Sequence, residues 1–135
     1  MVWAKSNKVT KLFPETQTQT AIVKWFKLQY PGLKKHIIMI GNGGKKTAQA
    51  HKLAERMGEV KGASDLFIAF PSGGYCGLWV EVKPEKFKVV PSNLKHVTRQ
   101  LDFLEDMREV GFAGEMIIGS IAGIEIIKSY MDLED

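Results

Sequence analysis

The chain has a single cysteine, Cys76, in 135 residues. An internal disulfide is therefore excluded, and so is a zinc site built on cysteine thiolates. His36, His51 and His96 lack the spacing of a zinc-ligand set. No apolar run is long enough to span a bilayer. The start, Met1-Val2-Trp3-Ala4-Lys5, has no apolar core of the kind a signal peptide needs. No membrane attachment and a cytoplasmic setting are the resulting expectations. Internal repeats, low-complexity tracts and linkers are missing too. One domain over residues 1–135 is expected, with 1–12 as a loose basic arm. A nucleotide-binding phosphate loop is also lacking. Met39 stands where its first glycine belongs, and Lys46 follows Lys45 where serine or threonine is needed.

Acidic residues are scarce in the first half. Residues 1–61 carry 12 Lys/Arg against 3 Asp/Glu, and residues 62–135 carry 7 against 12. The halves are thus +9 and −5, which together give the net +4. A basic half suits a polyanionic partner, of which nucleic acid is the leading class.

Hydrophobic spacing then orders the elements. Ala21, Ile22, Trp25 and Phe26 recur at helical intervals after Pro14-Glu15, and Tyr30-Pro31-Gly32 ends the run. Residues 36–40 read as a strand, followed by a glycine-rich turn bearing Lys45 and Lys46. A helix is predicted over 47–57, with Ala50, Leu53, Ala54 and Met57 on one side and Gly58 as its stop. Strands are predicted at 66–70, 77–83 and 115–119. Ser92 is the expected cap of a helix to about Val110, with Leu94, Val97, Leu101 and Leu104 as its apolar stripe. Ser120 is the expected cap of a last helix ending at Met131. Helices and strands in this order predict an α/β sheet with helices packed against it.

The chemistry concentrates in one hairpin. Side chains alternate along a strand, so Glu81 and Lys83 share a face and Val82 takes the other. If the turn centres near Gly73-Gly74, Asp65 falls opposite Glu81–Lys83. Cross-strand neighbours lie about 5 Å apart, close enough for two carboxylates to share a cation. Mg²⁺ needs only one or two carboxylates besides water and phosphate oxygens, and the Val82 carbonyl adds another donor. Lys83 beside them can orient a water or polarise a phosphate. Metal-dependent phosphodiester cleavage is the chemistry these residue types suit. Trp79 shares the face of Glu81 and Lys83, which implies that the face is partly covered. A simple solvated ion pair is the competing reading.

Asp65 after a glycine turn, then Glu81-Val82-Lys83, then a helix bearing Gln100 resembles the PD-(D/E)XK nuclease pattern. More closely, the chain resembles the stand-alone VRR-NUC nucleases of phages and bacteria. The carriers are Lys61-Gly62-Ala63-Ser64-Asp65-Leu66, Leu78-Trp79-Val80-Glu81-Val82-Lys83, Arg99-Gln100-Leu101 and Gly111-Phe112. The resemblance implies a restriction-endonuclease-like mixed β-sheet flanked by α-helices. It implies Asp65 and Glu81 as ligands of Mg²⁺ or Mn²⁺, with the Val82 carbonyl and Glu15 as further ligands. Lys83 would position the attacking water, and Gln100 would help hold the site. DNA would be the substrate, branched or four-way-junction DNA in particular, and the protein a homodimer. Two departures stand out: Ser64 replaces the motif's proline, and residues 84–91 lengthen the stretch before Gln100.

Lys45, Lys46, Lys86, Lys88, Lys95 and Arg99 are the candidate phosphate contacts. A non-catalytic nucleic-acid-binding module, or a partner-dependent subunit of a phage or mobile-element complex, is the alternative function. RNA is the alternative substrate.

Overall fold

The computed structural model describes residues 13–41 and 47–134. The expected arm at 1–12 and the turn lysines Lys45 and Lys46 lie outside the described residues. No described helix is long and apolar enough to cross a membrane.

Helix α1 spans Pro14–Gln29 and begins with the proline whose missing N–H costs nothing in a first turn. Its inner face buries Thr18, Ile22 and Phe26, spaced four apart. Pro31 ends it by forcing Tyr30 out of helical geometry, at φ −124° and ψ 69°. A 3₁₀ turn, Pro31–His36, leads into strand β1, Ile37–Met39. Helix α2 is Ala48–Arg56, strand β2 Leu66–Ile68 and strand β3 Leu78–Lys83. Helix α3, Leu94–Glu109, crosses over to strand β4, Ala113–Ile118, and helix α4, Ser120–Met131, closes the order.

The four strands form one sheet in the order β1-β2-β3-β4. The β1–β2 and β2–β3 pairs are antiparallel, whereas β3 and β4 run parallel, joined by the α3 crossover. On one face, Leu66, Ile68, Leu78, Val80 and Val82 pack with Ile22 and Phe26 of α1 and Ile127 and Tyr130 of α4. Each such fully buried aliphatic or aromatic side chain contributes about 1.5–3 kcal/mol. The two helices approach closely at Gly123, where a Cβ would meet Ile22 Cδ1 at 2.6 Å. On the other face Trp79 stacks against Phe67 at 4.5 Å and meets Phe103 of α3 edge-on at 5.1 Å. The result is the expected α/β, restriction-endonuclease-like architecture, a mixed sheet with helices on both faces.

Three local expectations are corrected. Helix α2 buries none of its residues, and Leu53 and Met57 are exposed. Both sheet faces are already covered by other helices, so its apolar side finds no core. In α3 the buried stripe is Val97, Gln100 and Leu104, with Leu94 and Leu101 exposed. The helix is rotated so that a polar amide, not two leucines, faces inward. The caps also differ. Asn93 precedes α3 and its Oδ1 accepts from Val90 N–H, holding the loop rather than the helix. Gly119, at φ +88°, precedes α4.

Candidate metal centre

The hairpin register fixes the site. Leu66 pairs with Val80, so the residue before Leu66, Asp65, lies beside Glu81, the residue after Val80. Glu81 continues the face of Trp79, beneath α3, and is fully buried. Lys83, two residues on, is 5% exposed. Its Nζ lies 3.8 Å from Glu81 Oε2 and 4.9 Å above the Phe87 ring. The loop after β3 thus folds back and caps the ammonium with an aromatic face.

Asp65 is anchored by its neighbour. Its Oδ2 accepts a hydrogen bond from Val82 N–H at 2.8 Å. In an extended strand a residue's C=O leaves on the same edge as its N–H, so the Val82 carbonyl also faces the Asp65 side. Glu15, in the first turn of α1, completes the group. Carboxylate oxygens of Glu15, Asp65 and Glu81 all lie within 4.8 Å of one another.

The electrostatics are those of a crowded acidic site. Neither oxygen of Glu81 has a hydrogen-bond partner, although both are buried. Burial, then the adjoining Asp65, push the Glu81 carboxyl up to about 10, against the opposing pull of Lys83. Glu15 is raised as well, by partial burial first and Asp65 second. A divalent cation fits this donor set. It would satisfy orphaned carboxylate oxygens that water does not reach, and hard oxygen donors are what Mg²⁺ and Mn²⁺ select.

Gln100 is buried on α3, and its Nε2 lies 3.1 Å from His96 Nε2. Its Oε1 has no partner. The His96 ring is held below the ordinary histidine range, by burial first and then by Lys83 and Arg99. Lys83 and Asp65 are thus near enough for their charges to act on His96. From sequence, His96 is weighed only as a zinc ligand and set aside. Its position four residues before Gln100, on one helix face, was the available signal.

Other predicted positions are scattered. Lys95 and Arg99 line a shallow depression on α3 with Asp102, while Lys86 lines a separate one with Pro14, Gln17 and Ser120. Lys88 is exposed, and its carbonyl accepts from Asn93 Nδ2. Gly62 is needed where it stands. Its φ is +85°, and a Cβ would meet Arg99 Cγ at 2.8 Å and the Arg99 carbonyl at 2.9 Å. The glycine turn before Asp65 thereby seats directly on α3. Ser64, in the motif's proline position, is buried with an unpartnered hydroxyl.

No family model matches the chain, and no curated protein matches it. A solved structure described as a VRR_NUC domain protein does, at 26% identity and a TM-score of 0.71, over 93% of each chain. With that coverage and the mixed sheet described above, the chain has a VRR-NUC family fold.

Proposed function

We propose that the protein is a divalent-metal-dependent nuclease that hydrolyses phosphodiester bonds in DNA. One observation carries the reading: a fully buried Glu81 carboxyl 3.8 Å from the buried Lys83 ammonium, with oxygens of Asp65, Glu15 and Glu81 within 4.8 Å of one another. An ion pair serving stability alone would not gather three carboxylates, since each added like charge raises the cost of the site.

Asp65 and Glu81 are the metal ligands in this reading, the Val82 carbonyl a third, and Glu15 a fourth, direct or through water. When bound, Mg²⁺ or Mn²⁺ polarises the phosphate and eases deprotonation of water. Lys83 holds the attacking water and offsets the charge that develops on the phosphoryl oxygens. The Phe87 ring and the Glu81 carboxylate fix its ammonium. Gln100, braced by His96, positions the site or the substrate. Water oxygen bonds to phosphorus, the bridging P–O bond breaks, and the leaving oxygen takes up a proton. Burial and Asp65 push the Glu81 carboxyl up, so its engagement as a ligand would release a proton.

DNA as substrate follows from the VRR-NUC likeness and the basic first half of the chain. Lys86, Lys88, Lys95 and Arg99 contact phosphates in this reading. One site per chain cannot cut two strands of a branched or four-way junction, so junction cleavage calls for a homodimer. A single domain acting in the cytoplasm completes the proposal.

The test is cleavage of labelled single-strand, duplex, flap and four-way-junction DNA with Mg²⁺, Mn²⁺ or EDTA, alongside Lys83→Ala. Metal-dependent cutting lost in the variant is expected. Binding without cutting by the wild type would favour a binding module or a partner-dependent subunit instead.

A further inference from the structure

A groove of about 880 Å³ leaves the acidic cluster and runs along the outer face of α1. Glu15 and Asp65 form one end. Thr16, Gln19 and Thr20 follow, and then Lys24, Lys27 and Lys34. Helical spacing brings this α1 series onto one face, and the 3₁₀ turn adds Lys34 to the lining. None of the three lysines pairs with a carboxylate among the described residues. Exposed Met39 and Leu28 add apolar surface to the lining.

We propose that this groove holds one single strand of nucleic acid leading away from the metal centre, its phosphates held by Lys24, Lys27 and Lys34. The inference rests on the nuclease reading and adds a strand path to it. Charge is the first reason. The groove is acidic only where a cation would neutralise it and basic along the rest, which is the pattern a phosphodiester chain entering a metal site requires. Size is the second. Glu15 and Lys27 are 12 positions apart on α1, about 18 Å along the axis, room for about five stacked nucleotides. Chemistry is the third. A lysine-lined groove with apolar walls offers phosphates their counter-charge and bases a dry surface, the combination by which single strands are bound without sequence preference.

The test measures binding of a fluorescein-labelled 12-nucleotide single strand by anisotropy in Ca²⁺, at salt concentrations from 50 to 200 mM. Wild type is compared with the triple variant Lys24→Gln, Lys27→Gln, Lys34→Gln. A second triple, Lys52→Gln, Arg56→Gln, Lys128→Gln, makes the same change in net charge outside the groove. Losing three single-strand phosphate contacts should flatten the slope of log K against log salt by about 2. Over this salt range, wild-type affinity should then fall about 20-fold more than that of the groove variant. The control triple should keep the wild-type slope. Equal slopes in wild type and groove variant, no single-strand binding by wild type, or equal flattening by the control would each overturn the proposal. So would sedimentation showing that wild type is a dimer which the groove substitutions dissociate, because the groove would then seat a second copy. Cleavage by wild type in Mn²⁺, scored separately, distinguishes failure of the strand path from failure of the nuclease reading.

Discussion

Glu81→Gln should make the metal-free protein more stable at alkaline pH. The carboxyl is fully buried, and burial with Asp65 alongside pushes it up to about 10. In the unfolded chain it ionises near its ordinary value, about 4.3. Above that pH the unfolded chain gives up the proton and the folded protein retains it. Stability from this group is therefore whole below about pH 4 and falls as pH rises, until the folded carboxyl ionises near 10. The loss is at most about 1.4 kcal/mol per pH unit. From pH 6 to 8 that amounts to at most about 3 kcal/mol, a fall in Tm on the order of 10 °C for a domain of this size. Glutamine keeps the shape and carries no charge, so this part of the pH dependence should vanish. In EDTA the variant should melt above wild type at pH 8, and the two should converge toward pH 5. Mn²⁺ at one hundred times the wild-type Kd should then raise wild type by about 2.7 kcal/mol and the variant by less, because only wild type keeps the full ligand set. The assay is thermal melting across this pH range with and without Mn²⁺. A flat wild-type Tm between pH 6 and 8, or a variant below wild type at pH 8 in EDTA, would refute the reasoning.

Lys83→Ala should lower the single-turnover cleavage rate by about 10²- to 10³-fold, the usual cost of one stabilising donor, while circular dichroism stays unchanged. Phe87→Leu should remove the ring over Lys83 Nζ and slow cleavage by about 2- to 30-fold, read as kcat with KM held. The His96 ring should titrate below the ordinary histidine range in an NMR pH series, and Lys83→Ala should raise its midpoint by removing a neighbouring cation. Gly62→Ala should destabilise the fold by about 1–3 kcal/mol in urea unfolding, because the residue needs positive φ and its Cβ has no room against Arg99.

Much of the site's framework could be read from the chain because it depends on local rules. Gly73-Gly74 centres the hairpin, strand alternation puts Glu81 with Trp79, and antiparallel pairing brings Asp65 beside them. Those relations need no knowledge of the rest of the molecule. What was not legible is tertiary. Val97, Gln100 and Leu104 face inward because the helix is rotated to fit Leu104 over Gly114, where a Cβ would meet Leu104 Cδ2 at 3.1 Å. Periodicity alone favoured the leucines at 94 and 101. The side of α2 that bears Leu53 has amphipathic spacing like a core helix, yet the sheet has no open face to receive it. Nothing in the sequence sets Lys24, Lys27 and Lys34 apart from other lysines. Only the return of the 3₁₀ turn toward α1 makes them walls of one groove. His96 likewise gains meaning from Gln100 and from the charge of Lys83, one of which lies on another element.

The most direct test of the account is calorimetric titration of Mn²⁺ into the protein at pH 7, in buffers of different ionisation enthalpy. The account predicts one ion per chain and release of close to one proton per ion, from Glu81. Asp65→Asn should weaken binding at least tenfold, and Glu81→Gln should abolish the proton release. No saturable Mn²⁺ binding, or binding that Asp65→Asn and Glu81→Gln leave unchanged, would contradict it.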